Sequence, residues 1–473
     1  VSDTIAAIAT ALGDSGVAVV RVSGPDAVCV AGALLPRGAA IARAPTHTVH
    51  HAWLRDATGA ALDEALVTVM RAPRTYTGED VVEIGVHGGT VPARRVLRAL
   101  LDAGARRADR GEFTKRAFLN GRLDLSQAEA VIDVISARTE RAADVALAAL
   151  AGRLAERTLE VEGRLLDLLA RLEADLDFSE DVEAAEREEI GRALDAAADE
   201  LEVLHRRVPW GRRLREGATV VLVGRPNVGK SSLFNALLQD DRALVDETPG
   251  TTRDWLEAWV EMEGVPVRLI DTAGLREAAA GLEADGARRA RRLERDADLR
   301  LVVLDAAAEL GAEDRDVLRR TEDGARLVVW NKTDLPTGVG AAGVAGSGNG
   351  AGGSDGRGDR VGGSRGGPQD GVRVSALRGD GLEELRARVG DALLGGAGRD
   401  ADPQAVPSER HGDAIRRARE SLRLARESWS DGRTEELIAG DVADAARAIG
   451  EITGKTVNEE VLDRIFSRFC IGK

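Results

Sequence analysis

The segment GRPNVGKSS (224–232) follows the apolar run ATVVLV (218–223) and satisfies the pattern G-x-x-x-x-G-K-[ST]. A strand, a glycine-rich loop and a helix start in that order form a phosphate cradle. Gly224 and Gly229 let backbone N–H groups converge, Lys230 brings a point charge to the outer phosphates, and Ser231 offers its hydroxyl to Mg2+. Asn227, Val228 and Ser232 complete the loop. This composition would produce on the order of 0.01 such matches by accident, so a bound nucleoside triphosphate is expected.

The base is read further along. NKTD (331–334) ends a later apolar run. The Asp334 carboxylate can accept from the N1–H and exocyclic amine of guanine, whereas adenine would leave a buried carboxylate unpaired, at a cost of about 1–3 kcal/mol or more. Asn331, Lys332 and Thr333 share that loop, and Ser375, Ala376 and Leu377 offer a backbone N–H to the guanine carbonyl. DTAG (271–274) supplies the Asp271 carboxylate near the metal and the Gly274 amide for the γ-phosphate, with Thr272 and Ala273 between them. GTTRD (250–254) gives Thr252 as a second hydroxyl for Mg2+. Leu275 stands where many small GTPases carry the glutamine that orients water, so another group must do so. Asn227 is an oxygen donor suited to a monovalent cation where others use an arginine finger.

Three textures of sequence must position these residues. Over 1–117, runs such as VAVVRVSG (17–24) and DVVEIGVHGG (80–89) alternate with helical stretches, which predicts a mixed α/β domain. Over 118–216, Val161, Leu165, Leu168, Leu169, Leu172 and Leu176 recur at helical spacing, and the same texture returns over 398–473. One helical domain split by an insertion is expected. The inserted stretch 217–397 alternates strand and helix, implying a mostly parallel sheet in which 255–264 is antiparallel and turns near Gly264. Residues 337–371 are too glycine-rich to bury a core and read as a disordered insertion.

Composition limits the setting. Sixty-five basic and 80 acidic side chains leave a net charge of −15, which argues against coating a polyanion by bulk charge. Any RNA contact must use a local patch such as HRRVPWGRRLREG (205–217), which reads equally as a solvated face or linker. Two cysteines exclude a disulfide framework and fit a reducing, cytoplasmic setting, with no membrane segment expected. Cys29, in an apolar VCV run, reads as a small core residue, and His87 as structural. Lysine occurs only at 115, 230, 332, 455 and 473, so each marks a place where a compact ammonium is used in an arginine-rich chain.

Taken with TGEDVVEIGVHGG (77–89), GEFTKRAFLNGRLDLSQAEAV (111–131) and the terminal FCIGK, the nucleotide motifs make the chain resemble the tRNA modification GTPase family MnmE, also called TrmE. The resemblance implies an N-terminal tetrahydrofolate-binding domain that dimerises, a discontinuous helical domain and an inserted Ras-like P-loop G domain. It implies a homodimer acting on tRNA with an FAD-dependent partner of the MnmG family, in a heterotetramer or larger complex. Their joint product would be an aminomethyl-type group at C5 of the wobble uridine, its carbon taken from 5,10-methylene-tetrahydrofolate. By motif, the nucleotide also meets Asp246, Glu247, Thr248, Pro249, Gly250 and Thr251; K+ falls to Asn227, Asp246, Thr248 and Thr251; Mg2+ falls to Ser231 and Thr252. Family members commonly have threonine where this chain has Asp246. Glu283 matches the water-orienting glutamate, and Arg21, Glu83, Arg122 and Lys473 match the folate ligands.

The resemblance also recasts the tail. By itself a cysteine three residues from the end reads as incidental, and FCIGK is a poor prenylation signal. VNEEVLDRIFSRF (457–469) reads as a helix returning the tail to the folate domain, which makes Cys470 a nucleophile or carbon acceptor. The competing function class is a GTPase switch in RNA or ribosome assembly, which would need neither Cys470 nor a folate pocket.

Overall fold

The computed structural model describes residues 3–36, 39–177, 184–239, 243–244, 257–271, 291–336, 371–395 and 405–473. They belong to two compact units, one of 1–132, 149–198 and 417–473 and the other of 133–148 and 199–416. The expectations for residues 246–252, 272–274, 283 and 337–370 lie outside the described residues. No described helix is long and apolar enough to cross a membrane.

The first unit holds a six-stranded sheet of β1 (Ile5–Ile8), β2 (Val17–Ser23), β3 (Thr48–Arg55), β4 (Ala61–Met70), β5 (Val81–His87) and β6 (Arg106–Arg107), in the order β3-β4-β5-β2-β1-β6. Alternation decides its faces. Ala18, Val20 and Val22 of β2 and Val82, Ile84 and Val86 of β5 are buried in one core with Ala93, Val96, Leu97 and Leu100 of helix Thr90–Asp102. Arg21 and Glu83 therefore share the opposite face, and the antiparallel register sets them directly across from each other.

Cys29 corrects its expectation, because it is exposed. The VCV run lies in the helix Ala27–Gly32, whose Ala27, Val28, Val30 and Ala31 are buried. Helical rotation turns position 29 outward between buried neighbours, which an apolar run read without a period does not reveal.

The two helical blocks meet, as a split domain requires. Val161, Leu165, Leu168 and Leu172 of helix Arg153–Asp177 are buried, as are Ile438, Val442, Ala445, Ile449 and Ile452 of helix Glu435–Thr453, and the two helices pack together. Lys455 Nζ, beyond the second helix, donates to Glu162 Oε2 of the first at 2.7 Å, across 293 residues of sequence. The last helix, Glu459–Phe466, is capped by the Asn458 side chain. Phe466 and Phe469 then bury themselves beside Leu125, Ala128 and Val131.

The second unit holds β7 (Ala218–Val223), β8 (Ala243–Leu244), β9 (Glu257–Met262), β10 (Val265–Asp271), β11 (Leu299–Asp305), β12 (Arg326–Asn331) and β13 (Val372–Arg373), in the order β13-β12-β11-β7-β10-β9-β8. The pairs from β10 through β13 are parallel, and β9 is antiparallel to β10. Glu263 and Gly264 turn that hairpin with φ of 52° and 78°, the positive pair that a tight two-residue turn needs. Val220 and Leu222 enter one core and Val221 and Val223 another, so β7 is covered on both faces and reads as a continuous apolar run. The carboxyl ends of β7, β10, β11 and β12 bring the P-loop, Asp271, Asp305 and Asn331 to one edge, where open α/β sheets bind ligands.

The basic stretch 205–217 is largely committed internally. Arg207 donates to the Ala405 carbonyl, Arg212 pairs with Asp298, Arg213 donates to the Leu393 carbonyl, and Arg215 joins Asp133 to the carbonyls of Val406 and Pro407. Its guanidinium groups brace the end of helix Ala184–Glu216, which favours structural use over an RNA patch.

Candidate functional site

The phosphate cradle is built from unusual backbone. Asn227 and Gly229 have φ of 63° and 92°, and helix Lys230–Leu238 starts at once. A Cβ on Gly229 would lie 2.3 Å from Asn331 Nδ2, so glycine is required both for conformation and for close approach. Lys230 is buried, and its ammonium donates to the carbonyls of Gly224 and Arg225 at 3.1 and 2.9 Å. Ser231 Oγ donates to Asp271 Oδ2 at 2.6 Å. A hydroxyl and a carboxylate in contact are a hard-oxygen pair suited to Mg2+, an ion that takes its remaining ligands from water and phosphate.

The loop 331–334 is tied to the loop 224–232. Asn331 is buried; its Nδ2 donates to the Val228 carbonyl at 3.0 Å, and its Oδ1 accepts the Ala376 N–H at 3.1 Å. That N–H is therefore in use by Asn331. Lys332 Nζ bridges the Asn227 carbonyl and Asp305 Oδ2, each at 2.7 Å. Asp334 departs from expectation in being half-buried rather than buried. It accepts from Ser375 Oγ at 2.7 Å, and this hydrogen bond leads the effects that hold its carboxyl below the usual carboxylate range.

A second cluster forms in the first unit. Arg21 Nε donates to Glu83 Oε1 at 2.8 Å and Nη1 to the Gly472 carbonyl at 3.3 Å. The Arg21 guanidinium lies over the rings of Tyr76 and Phe113, and that of Arg122 also lies over Tyr76. The tail is held by a bridge between Ile471 and Arg110. Gly472, with φ of 99°, passes so close to the Ile8 carbonyl that a Cβ would lie 2.3 Å from it. Burial, followed by the positive charge of Arg21, pushes the Lys473 ammonium below the ordinary lysine value, while Glu83 and Cys470 oppose the shift. Cys470 is exposed.

Residues 4–122 match the family described as GTP-binding protein TrmE N-terminus, and residues 125–470 match the MnmE helical domain. Proteins named tRNA modification GTPase MnmE from Symbiobacterium thermophilum and Moorella thermoacetica are 47% and 44% identical, each aligned over 100% of this chain and 99% of their own. One of that name from Chloroflexus aurantiacus is 44% identical over the whole of both chains. The chain belongs to the MnmE family.

In this member of the family, the structure brings Asn227, Lys230, Ser231, Asp271, Asn331 and Lys332 together at one sheet edge, and joins Arg21 to Glu83, to the Gly472 carbonyl and, over Tyr76, to Arg122. His87 is on the sheet as a partner of Asp63 at 2.8 Å. Sequence reasoning missed Asp305, whose signal was its place at the carboxyl end of a parallel strand. It also missed Glu79 and Arg116. Arg116 is almost wholly buried and joins Asp3, Glu79 and Glu112, while Glu79 in turn meets Ser23. An arginine at helical spacing carries no mark of burial until its partners fold around it.

Proposed function

We propose that this chain hydrolyses GTP as part of a tRNA-modifying machine that transfers a one-carbon unit from methylene-tetrahydrofolate to C5 of the wobble uridine. The full-length similarity to tRNA modification GTPases supports the coarser part, GTP hydrolysis serving tRNA modification. The observation that carries the finer part is the convergence of Arg21, Glu83, Arg122 and the Cys470-bearing tail in one compact unit. A carboxylate can bind a pterin amide and amine bidentately, cations can meet the glutamyl end, and a neighbouring thiol can accept carbon.

In this reading Ser231 and Thr252 hold Mg2+, Asn227, Asp246, Thr248 and Thr251 hold K+, and Glu283 orients the attacking water. The divisions at 117, 216 and 397, the homodimer, the FAD-dependent MnmG-type partner and the cytoplasmic setting belong to the same proposal. The deciding measurement is equilibrium binding of a reduced folate to the full chain, paired with nucleoside mass spectrometry of tRNA from cells lacking it. Folate binding and loss of the wobble modification are expected. Absence of both would instead favour the assembly-switch reading.

A further inference from the structure

Tyr76 is the chain's single tyrosine, and three of its groups are engaged. The Arg21 and Arg122 guanidinium carbons lie 5.0 and 5.2 Å from its ring centroid, within the range where an aromatic quadrupole attracts a cation. Its hydroxyl is hydrogen-bonded to Thr114 Oγ1 at 2.8 Å, and its carbonyl accepts from Arg122 Nη1 at 2.9 Å. Two like charges that must sit near each other repel, and a ring attractive to both offsets that repulsion.

The loop carrying Tyr76 is braced from both sides. Thr75 Oγ1 donates to the Glu79 carbonyl at 2.6 Å, Asn120 Nδ2 donates to the Thr77 carbonyl at 2.8 Å, and buried Arg116 donates to Glu79 Oε2 at 3.1 Å. Thr114, which anchors the hydroxyl, is itself buried on helix Glu112–Leu119. The ring is thus fixed at its far end and along its backbone, as a positioning element must be.

We propose that Tyr76 is a positioning residue that sets the spacing and direction of Arg21 and Arg122 where they meet a reduced folate. The inference rests on the folate reading above and deepens it. Because Arg21 also donates to the Gly472 carbonyl, the same ring steadies the cation that meets the C-terminal tail.

The test is binding of 5-formyltetrahydrofolate, an oxidation-stable reduced folate, to the full chain. Tyr76→Phe keeps the ring but deletes the hydroxyl anchor and should weaken binding about threefold, whereas Tyr76→Leu should lose about tenfold. Arg21→Ala or Arg122→Ala should cost far less in the Tyr76→Leu background than in the native chain, since the ring acts through them. Should Tyr76→Leu fail to fold, Thr114→Val removes only the hydroxyl anchor and should weaken binding about threefold. Tight binding by the leucine variant, simple additivity of the double variants, or an unaltered Thr114→Val would overturn the role of Tyr76 alone. A native chain that binds no folate would overturn the folate reading, and the positioning role with it.

Discussion

Asn331 is where a single side chain joins the loops 224–232 and 375–377, so Asn331→Ala tests whether that junction matters for GTP binding. The substitution removes the donation to Val228 at 3.0 Å and the acceptance from Ala376 at 3.1 Å, and leaves both backbone groups short of a partner. Each loss is worth about 1 kcal/mol net, and up to about 3 for the Val228 carbonyl, which stays buried, for a total of roughly 2–4 kcal/mol. Charged wholly to binding, that is about 1.5 to 3 decades in affinity, and whatever is not lost in binding must appear as lowered stability. Asn331→Asp separates shape from hydrogen bonding. It keeps the volume and an acceptor for Ala376, but sets a carboxylate oxygen against the Val228 carbonyl. Titration of a fluorescent GTP analogue, with thermal melting alongside, should show both variants at least about tenfold weaker, with the melting midpoint lowered by several degrees. Affinity within twofold of native together with an unchanged melting midpoint, for either variant, would refute the claim that this side chain organises the P-loop.

Glu283→Ala should lower the GTP turnover rate by about 100-fold or more while GTP affinity stays within about threefold, measured by phosphate release and analogue binding. Cys470→Ser should leave GTP hydrolysis intact and abolish tRNA modification by nucleoside mass spectrometry; loss of both would instead show a folding role. Arg116→Met takes a buried guanidinium away from the half-buried Glu79 and Glu112 and should destabilise the chain by about 1–3 kcal/mol in urea unfolding, and no change would show that the cluster is dispensable. His87 has its pKa raised above the ordinary 6.5, first by the hydrogen bond to Asp63. Its stabilising contribution is therefore complete below that ordinary value and is lost as pH rises through the raised folded value. Asp63→Asn should move the His87 titration down toward the ordinary value in proton NMR and flatten that part of the stability profile.

The legible parts of this protein are those whose chemistry is contiguous. A P-loop works through consecutive backbone amides, so GRPNVGKSS announces its ligand without a structure. The hairpin at Gly264 was legible because the special backbone of a tight turn leaves its mark on residue type. Cys29 was misread because a short apolar run does not state its period. Asp334 was misread as buried because exposure depends on neighbours that the local motif does not name.

The amino-acid sequence by itself determined the nucleotide chemistry, the split helical domain and the family, since each is written in local motifs or in periodicity. Only the tertiary structure decided which distant residues act together. Arg21 and Glu83 lie 62 positions apart and meet because antiparallel register and a two-residue side-chain period set them opposite on one face. Gly472 reaches Arg21 across 451 positions because Phe466 and Phe469 bury themselves and carry the tail in. Register and burial belong to pairs of segments, so neither can be read from one segment alone.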